Sequence, residues 1–270
     1  MADYPPGEGL FKREPGDWGD DGLRINGLPL SHWGLWLGVD GVQVGELSMG
    51  TSFTELPGVP GLVDGSLVDG MNNAIPTQRR TLTINVGMWG DEAEAVESKT
   101  RFALLNGSTV EVQWRNWPGV FIGRITSINW TDEWKQGVFV RSLGVVTVSC
   151  RPYVYGTPRS FETSTAVHTV LVEGNRPTGP TVTCVPPAGT KRYYLTVNEG
   201  SANQAQLVFN ADFNGSWTLT VDCDQHYATY GTQPVFPSVD SDYPMLIPGS
   251  NTVQDSAGVS LWTYTPRWLL

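Results

Sequence analysis

Thr81-Leu82-Thr83-Ile84-Asn85-Val86 alternates polar and apolar side chains without a break. Successive side chains of an extended strand point to opposite faces, so this run reads as a strand with one face in a core and the other in water. Val42-Gln43-Val44-Gly45-Glu46-Leu47-Ser48-Met49 carries the same pattern upstream, and Thr109 to Trp114, Gly119 to Trp130 and Gly137 to Cys150 carry it downstream. Turns are expected at Asn106-Gly107 and around Lys135-Gln136-Gly137. One stretch departs from the strand pattern and predicts a helix, from 91 to about 106. Asp91 can cap its free N–H groups, Glu94 completes a capping box, and Gly107 follows its end. Ala93, Val96, Phe102 and Leu105 are the expected buried stripe.

Working outward, residues 1–22 are rich in Pro, Gly and Asp, carry six acidic side chains, and read as an extended arm. The first strand is expected near Leu23-Arg24-Ile25-Asn26. Residues 23–155 then form a small antiparallel barrel or sandwich with one helix, closing near Arg151-Pro152-Tyr153-Val154-Tyr155-Gly156. Within it, the turn-rich stretch from Glu55 to Thr77 is long for a linker in a compact domain, which usually means that it has a job. Residues 156–270 carry short strand patterns, with turns about every 8–12 residues, as in a β-sandwich. The candidates are Ala166 to Val172, Thr181 to Val185, Tyr193 to Val197, Gln206 to Phe209, Trp217 to Asp222 and Ser260 to Tyr264, with turns at Asn210 to Gly215 and Pro248 to Asn251. The fold class is therefore mainly β, as two unlike domains in series. With 31 Gly and 19 Pro in 270 residues, many turns and few helices are expected.

Composition excludes several functions. The formal charge is −10, and both parts are acidic: residues 1–155 carry 12 basic and 18 acidic side chains, and 156–270 carry 5 and 9. The clustered Lys and Arg that neutralise phosphates are missing, so nucleic-acid binding is not expected. No stretch approaches the roughly 20 apolar residues that span a bilayer, and the start lacks signal-peptide character, so a chain made in the cytoplasm without membrane insertion is expected. Cys150, Cys184 and Cys223 have no CxxC spacing and read as reduced, buried thiols.

Enzyme chemistry finds little footing. No G-x-S-x-G occurs, and His32, His168 and His226 have no companion motif. Asp91, Glu92, Glu94 and Glu97 could be glycosidase carboxylates, but acids at a helix start are favoured by its dipole. Asp222-Cys223-Asp224 and Asp240-Ser241-Asp242 lack the rest of a calcium loop and read as turns. No catalytic residue, metal or cofactor is expected. The 11 tryptophans are the one enriched type that could bind a ligand. Trp217, Tyr227, Trp262 and Tyr264 have two open readings: a stacking platform for sugar rings, or large rings filling a shared core.

The order of these features resembles the distal tail proteins (Dit family) of long-tailed, siphovirus-type bacteriophages. The residues that carry it are Ile25-Asn26-Gly27, then Phe53-Thr54-Glu55-Leu56-Pro57-Gly58 opening the long loop, then Arg79-Arg80-Thr81-Leu82-Thr83-Ile84 entering a strand. The single helix and Cys150-Arg151-Pro152-Tyr153-Val154-Tyr155-Gly156 follow. Pro248-Gly249-Ser250-Asn251 and Trp262-Thr263-Tyr264-Thr265-Pro266-Arg267-Trp268 are similar to the close of that family's C-terminal sandwich. The resemblance runs from about residue 23 to the end. It implies a structural, non-enzymatic virion protein of the tail tip or baseplate hub, with N-terminal barrels closing a hexameric ring and galectin-like, carbohydrate-binding-module-like sandwiches outside it. The implied partners are five further copies, the tail tube protein and the tail-tip hub of the adsorption apparatus, with DNA passing through unbound. An acidic bore suits that passage. Val59, Leu62, Val63, Leu67, Val68, Met71 and Ile75 would supply the ring contacts from the long loop; the other reading folds them back onto their own barrel. The alternative function is a carbohydrate-binding minor tail protein that recognises host glycans through the C-terminal sandwich.

Overall fold

The structure is a computed structural model that describes residues 22–55, 61–69 and 71–270. The arm expected over 1–22 thus lies, apart from Gly22, outside the described residues. Through its described residues the chain divides into two compact units. One comprises the segment up to Ser48 with Pro76–Val154, and the other Met49–Ile75 with Tyr155–Leu270.

The first unit opens with β1 (Leu23–Ile25) and β2 (Leu28–Pro29), joined by Asn26-Gly27. Both joining residues have positive φ, as a two-residue hairpin turn needs, and glycine and asparagine accept it at least cost. A 3₁₀ turn, Leu30–Trp33, leads into β3 (Trp36–Val44). The strand expected at 42–49 therefore begins earlier and ends at Val44. Beyond it Gly45 still donates to the Thr81 carbonyl at 2.8 Å before the chain leaves the ladder.

The excursion that follows holds β4 (Phe53–Glu55) and β5 (Leu62–Asp64), after which β6 (Arg80–Trp89) returns to the sheet. Helix α1 (Glu92–Ala103), β7 (Thr109–Trp114), β8 (Val120–Lys135) and β9 (Val138–Tyr155) complete the unit. The strand order is β2-β1-β7-β8-β9-β6-β3. The β6–β9 ladder runs from Arg80↔Cys150 to Trp89↔Arg141. The alternation in β6 does what it promised: Leu82, Ile84 and Val86 are buried, and Thr81 is exposed.

Helix α1 has the expected capping box. The Asp91 carboxylate accepts from the Glu94 N–H at 2.8 Å, and the Glu94 carboxylate accepts from the Asp91 N–H at 3.3 Å. Its buried face matches the expected one at Phe102 alone. Ala95, Ser98 and Phe102 are inside, while Ala93 and Val96 are exposed and Leu105 is half-buried. The reason is close approach. A Cβ at Gly34 would stand 2.6 Å from Ser98 Oγ, so only small residues fit where the helix meets the 3₁₀ turn. Phe102 then reaches inward to meet Trp33 and Trp130 edge-on, at 5.6 and 6.3 Å between ring centres.

The second unit is a two-layer sandwich. Its strands are β10 (Arg159–Thr163), β11 (His168–Val172), β12 (Thr181–Cys184), β13 (Arg192–Val197) and β14 (Ala205–Asn210). After them come β15 (Leu219–Asp222), β16 (Tyr227–Tyr230), β17 (Gln233–Pro234), β18 (Gly249–Asp255) and β19 (Ser260–Tyr264). One sheet runs β10-β19-β12-β15-β16-β17 and the other β11-β18-β13-β14. Between them Trp262, Tyr193, Phe209, Leu195 and Leu219 are fully buried. Each such side chain contributes roughly 1.5–3 kcal/mol over its exposed state. Gly249–Asp255, whose first residues read as a turn, continues as the central strand β18. The described part of the chain is mainly β, with one α-helix.

Candidate functional site

The excursion between β3 and β6 is built, not slack. β4 and β5 pair antiparallel, Phe53↔Asp64 to Glu55↔Leu62. Backbone bonds carry the pairing on: Gly65 N–H to Ser52 O, Leu67 N–H to Gly50 O, Gly50 N–H to Ile75 O and Ile75 N–H to Leu67 O, all within 2.8–2.9 Å. At the turn the Asp69 carboxylate accepts from the Met71 and Asn73 N–H groups, at 2.8 and 3.0 Å. At the other end Asp64 accepts from Ser66 N–H, and hydrogen bonding from the Ser66 hydroxyl, with this backbone bond, holds its carboxyl below the usual carboxylate range.

This ordered element buries almost nothing in the single chain. All three residues of β4 and all three of β5 are exposed, on both faces. Leu62 is 65% and Leu67 57% exposed, and Phe53, Val63, Val68 and Met71 are exposed with them. Ile75 is half-buried, and Val59 lies outside the described residues. A two-stranded hairpin without an apolar layer against it is marginal in water. Several large apolar side chains exposed on one element are the kind of surface that protein contacts draw on. Phe53 belongs to this surface as well.

The four aromatic candidates in the second unit fall into two pairs. Trp262 is 0% exposed and Tyr264 is buried, so these two are core residues and not a sugar platform. They lie on the inward face of β19: Trp262 stacks on Phe161 at 5.9 Å and donates its indole N–H to Ser260 Oγ at 2.7 Å. A ring engaged on its faces and at its N–H has nothing left for a ligand. Trp217 and Tyr227 are exposed, but the register Leu219↔Tyr230 to Asp222↔Tyr227 sets them at opposite ends of the β15–β16 pair.

No motif announces the polar node inside the sandwich. Asp255 on β18 is buried, accepts from Ser260 Oγ at 2.6 Å and Tyr193 OH at 3.2 Å, and takes a further bond from the Thr163 hydroxyl. Burial pushes its carboxyl above the ordinary range; these hydrogen bonds and His168 pull the other way. Burial likewise raises the Tyr193 hydroxyl. All three cysteines are free and buried, and burial pushes Cys150 and Cys184 up to about 12 and raises Cys223 too. Such thiols are inert.

The remaining polar candidates are local structure. Ser164 Oγ lies 2.9 Å from His168 Nε2, and it also accepts from Ala166 N–H in the turn between β10 and β11. Asp222 accepts from Gln225 N–H, and Asp224 accepts from Gly179 N–H and binds Arg267. Among the described residues no group of His, Cys, Asp and Glu is arranged to hold a metal ion, and no helix is long and apolar enough to cross a membrane.

Residues 173–268 match the family model for the siphovirus-type tail component, C-terminal domain. Among solved structures the chain is similar to the SPP1 Dit (gp 19.1) protein, a paradigm of the hub adsorption apparatus in Gram-positive infecting phages. The TM-score is 0.67 at 19% identity, over 92% of this chain and 98% of that one. A chain of the phage p2 baseplate in its activated conformation with Sr aligns over 83% of this chain and 90% of that one, at 10% identity and a TM-score of 0.33. No curated protein matches in sequence. The resemblance to distal tail proteins read from the sequence holds: the matched segment lies in the second unit, and the fold is that of SPP1 Dit.

Proposed function

We propose that this chain is a structural, non-enzymatic protein of a phage tail tip, closing as a hexameric ring in the baseplate hub. In that position it joins the tail tube to the adsorption apparatus and lets DNA through. The observation that carries the reading is the β4–β5 hairpin with its following turn, whose described residues present Leu62, Leu67, Val68 and Met71 to solvent on a fold shared with SPP1 Dit. Permanent contacts between subunits bury more than about 2,000 Å² and draw on apolar residues of this kind. The charge of −10 fits a bore that DNA crosses without sticking.

The test is a pair of charge insertions, Leu62→Asp with Leu67→Asp, in the full chain. Size-exclusion chromatography with light scattering is expected to show a large closed particle for the parent and smaller species for the double variant. An unchanged particle would remove the hairpin from the ring contacts. A second reading, recognition of host glycans by the second unit, keeps Trp217 in its favour, as an aromatic ring left open to solvent on the sandwich.

A further inference from the structure

We infer that Trp217 is a preorganised stacking platform for a neutral hexopyranose, with Asn214 as the residue that positions it. The inference rests on the glycan reading of the second unit and narrows it from four aromatic residues to one. Trp217 is 51% exposed, yet nothing about it is loose. The Asn214 side-chain oxygen accepts from the N–H groups of Ser216 and Trp217, at 2.9 and 3.1 Å, and from the Tyr230 hydroxyl at 2.5 Å. Tyr230 in turn accepts from the Asn214 N–H at 2.7 Å. Two of these bonds close the turn that carries the indole, and two tie that turn to Tyr230 in the sandwich.

The ring itself has a floor. Its centre is 5.4 Å from that of Tyr230, and Gly231 packs so close that a Cβ there would stand 3.2–3.4 Å from Cδ2, Cε3 and Cγ of the indole. Gly231 has φ of 61°, a conformation glycine adopts freely. A larger residue would crowd the indole by a few tenths of an ångström and strain its own backbone. The remaining surface of the indole faces water.

What surrounds that open surface selects the ligand. Ser216, Thr218, Thr232 and Gln233 adjoin it along the chain and are all exposed. A protein contact is built around an aromatic anchor enclosed by further apolar residues that exclude water. The β4–β5 hairpin, with Phe53, Leu62 and Leu67 exposed, has that character, and the polar neighbours of Trp217 along the chain do not. A flat apolar face whose chain neighbours carry exposed hydroxyl and amide groups matches a pyranose, which offers C–H bonds on one face and hydroxyls around its rim. An aromatic anchor held rigid also binds with little further loss of conformational freedom. A single stacked ring binds weakly, and several copies in one particle would raise the strength through avidity.

The experiment uses the full chain labelled with 5-fluorotryptophan, the Trp217 resonance being assigned from a Trp217→Phe variant. Methyl glycosides of glucose, galactose, mannose, rhamnose and N-acetylglucosamine are titrated singly, with saturation-transfer difference spectra on the same samples. The expected result is that at least one sugar shifts the Trp217 resonance, that Trp217→Ala lowers its affinity at least ten-fold, and that Asn214→Ala, which keeps the indole, lowers it at least three-fold. Tyr227→Ala should leave it unchanged. Binding of a sugar that Trp217→Ala does not weaken would overturn this site while leaving the glycan reading standing. No binding of any of the five would overturn both. Particle mass, measured on the same samples, reports on the ring separately.

Discussion

The Asp255 carboxylate and the Ser260 hydroxyl lie 2.6 Å apart in the interior of the second unit, although their strands belong to different sheets. Tyr193 on the Asp255 side and Thr163 on the Ser260 side converge on the same carboxylate, so one acid fastens the two layers together. Removing it takes the carboxylate acceptor from three buried hydroxyl groups; Thr163 and Ser260 keep only their bond to each other, at 2.8 Å, and each donor left without an acceptor costs about 1–3 kcal/mol. Asp255→Ala is therefore expected to lower the unfolding free energy of the second unit by at least ~2 kcal/mol in urea titration, and Asp255→Asn by less. Equal stability of Asp255→Ala and the parent would contradict the node.

Burial raises the Asp255 carboxyl in the folded state, while in the unfolded chain it titrates near its ordinary value of about 3.9. Between those two values the unfolded chain releases a proton that the folded chain keeps. The contribution of this acid to stability is thus fully present below pH ~4 and is lost as pH rises through the folded value. The parent should lose stability relative to Asp255→Asn over that window, then run parallel to it. Urea midpoints of the two proteins from pH 3 to 8 give the slope, and a slope of opposite sign would contradict burial as the dominant cause.

On α1 the revised face makes an asymmetric prediction. Val96 is exposed, so Val96→Lys should change stability by no more than about 0.5 kcal/mol. Ser98→Leu would drive bulk into the place where the helix meets the 3₁₀ turn, and overpacking of that kind costs about 1–3 kcal/mol. Asp91→Ala removes the cap at a cost of about 1 kcal/mol. Thermal unfolding followed by circular dichroism ranks the three.

Among the tryptophans, Trp262→Ala should cost about 3–5 kcal/mol, as loss of a large buried ring does, while Trp217→Ala stays within about 1 kcal/mol of the parent. Differential scanning calorimetry separates them. Comparable losses would place Trp217 in the core.

What the chain discloses in advance depends on how local the physics is. Period-two alternation located β6 and β7, and the capping residues located α1, because both patterns are written in neighbouring positions. The buried side of α1 was hidden because the contact surface selects Ala95 and Ser98 for small size, and an apolar pattern does not count serine. Trp262 and Trp217 look alike as letters. Which one faces inward is fixed by the strand register and by an acceptor, Ser260, two residues away. The Asp255 node joins residues up to 97 positions apart, and no local pattern can carry that. The long loop announced itself by length and apolar content, while its hairpin pairing emerged only in three dimensions.

Self-association is the central claim, and the mass of the purified full chain in solution tests it most directly. Sedimentation velocity across a hundred-fold range of concentration, with negative-stain images of the same sample, should give one closed species of six times the 29.5 kDa chain. A chain that stays at its own mass at the highest concentration, with no rings in the images, would contradict the account.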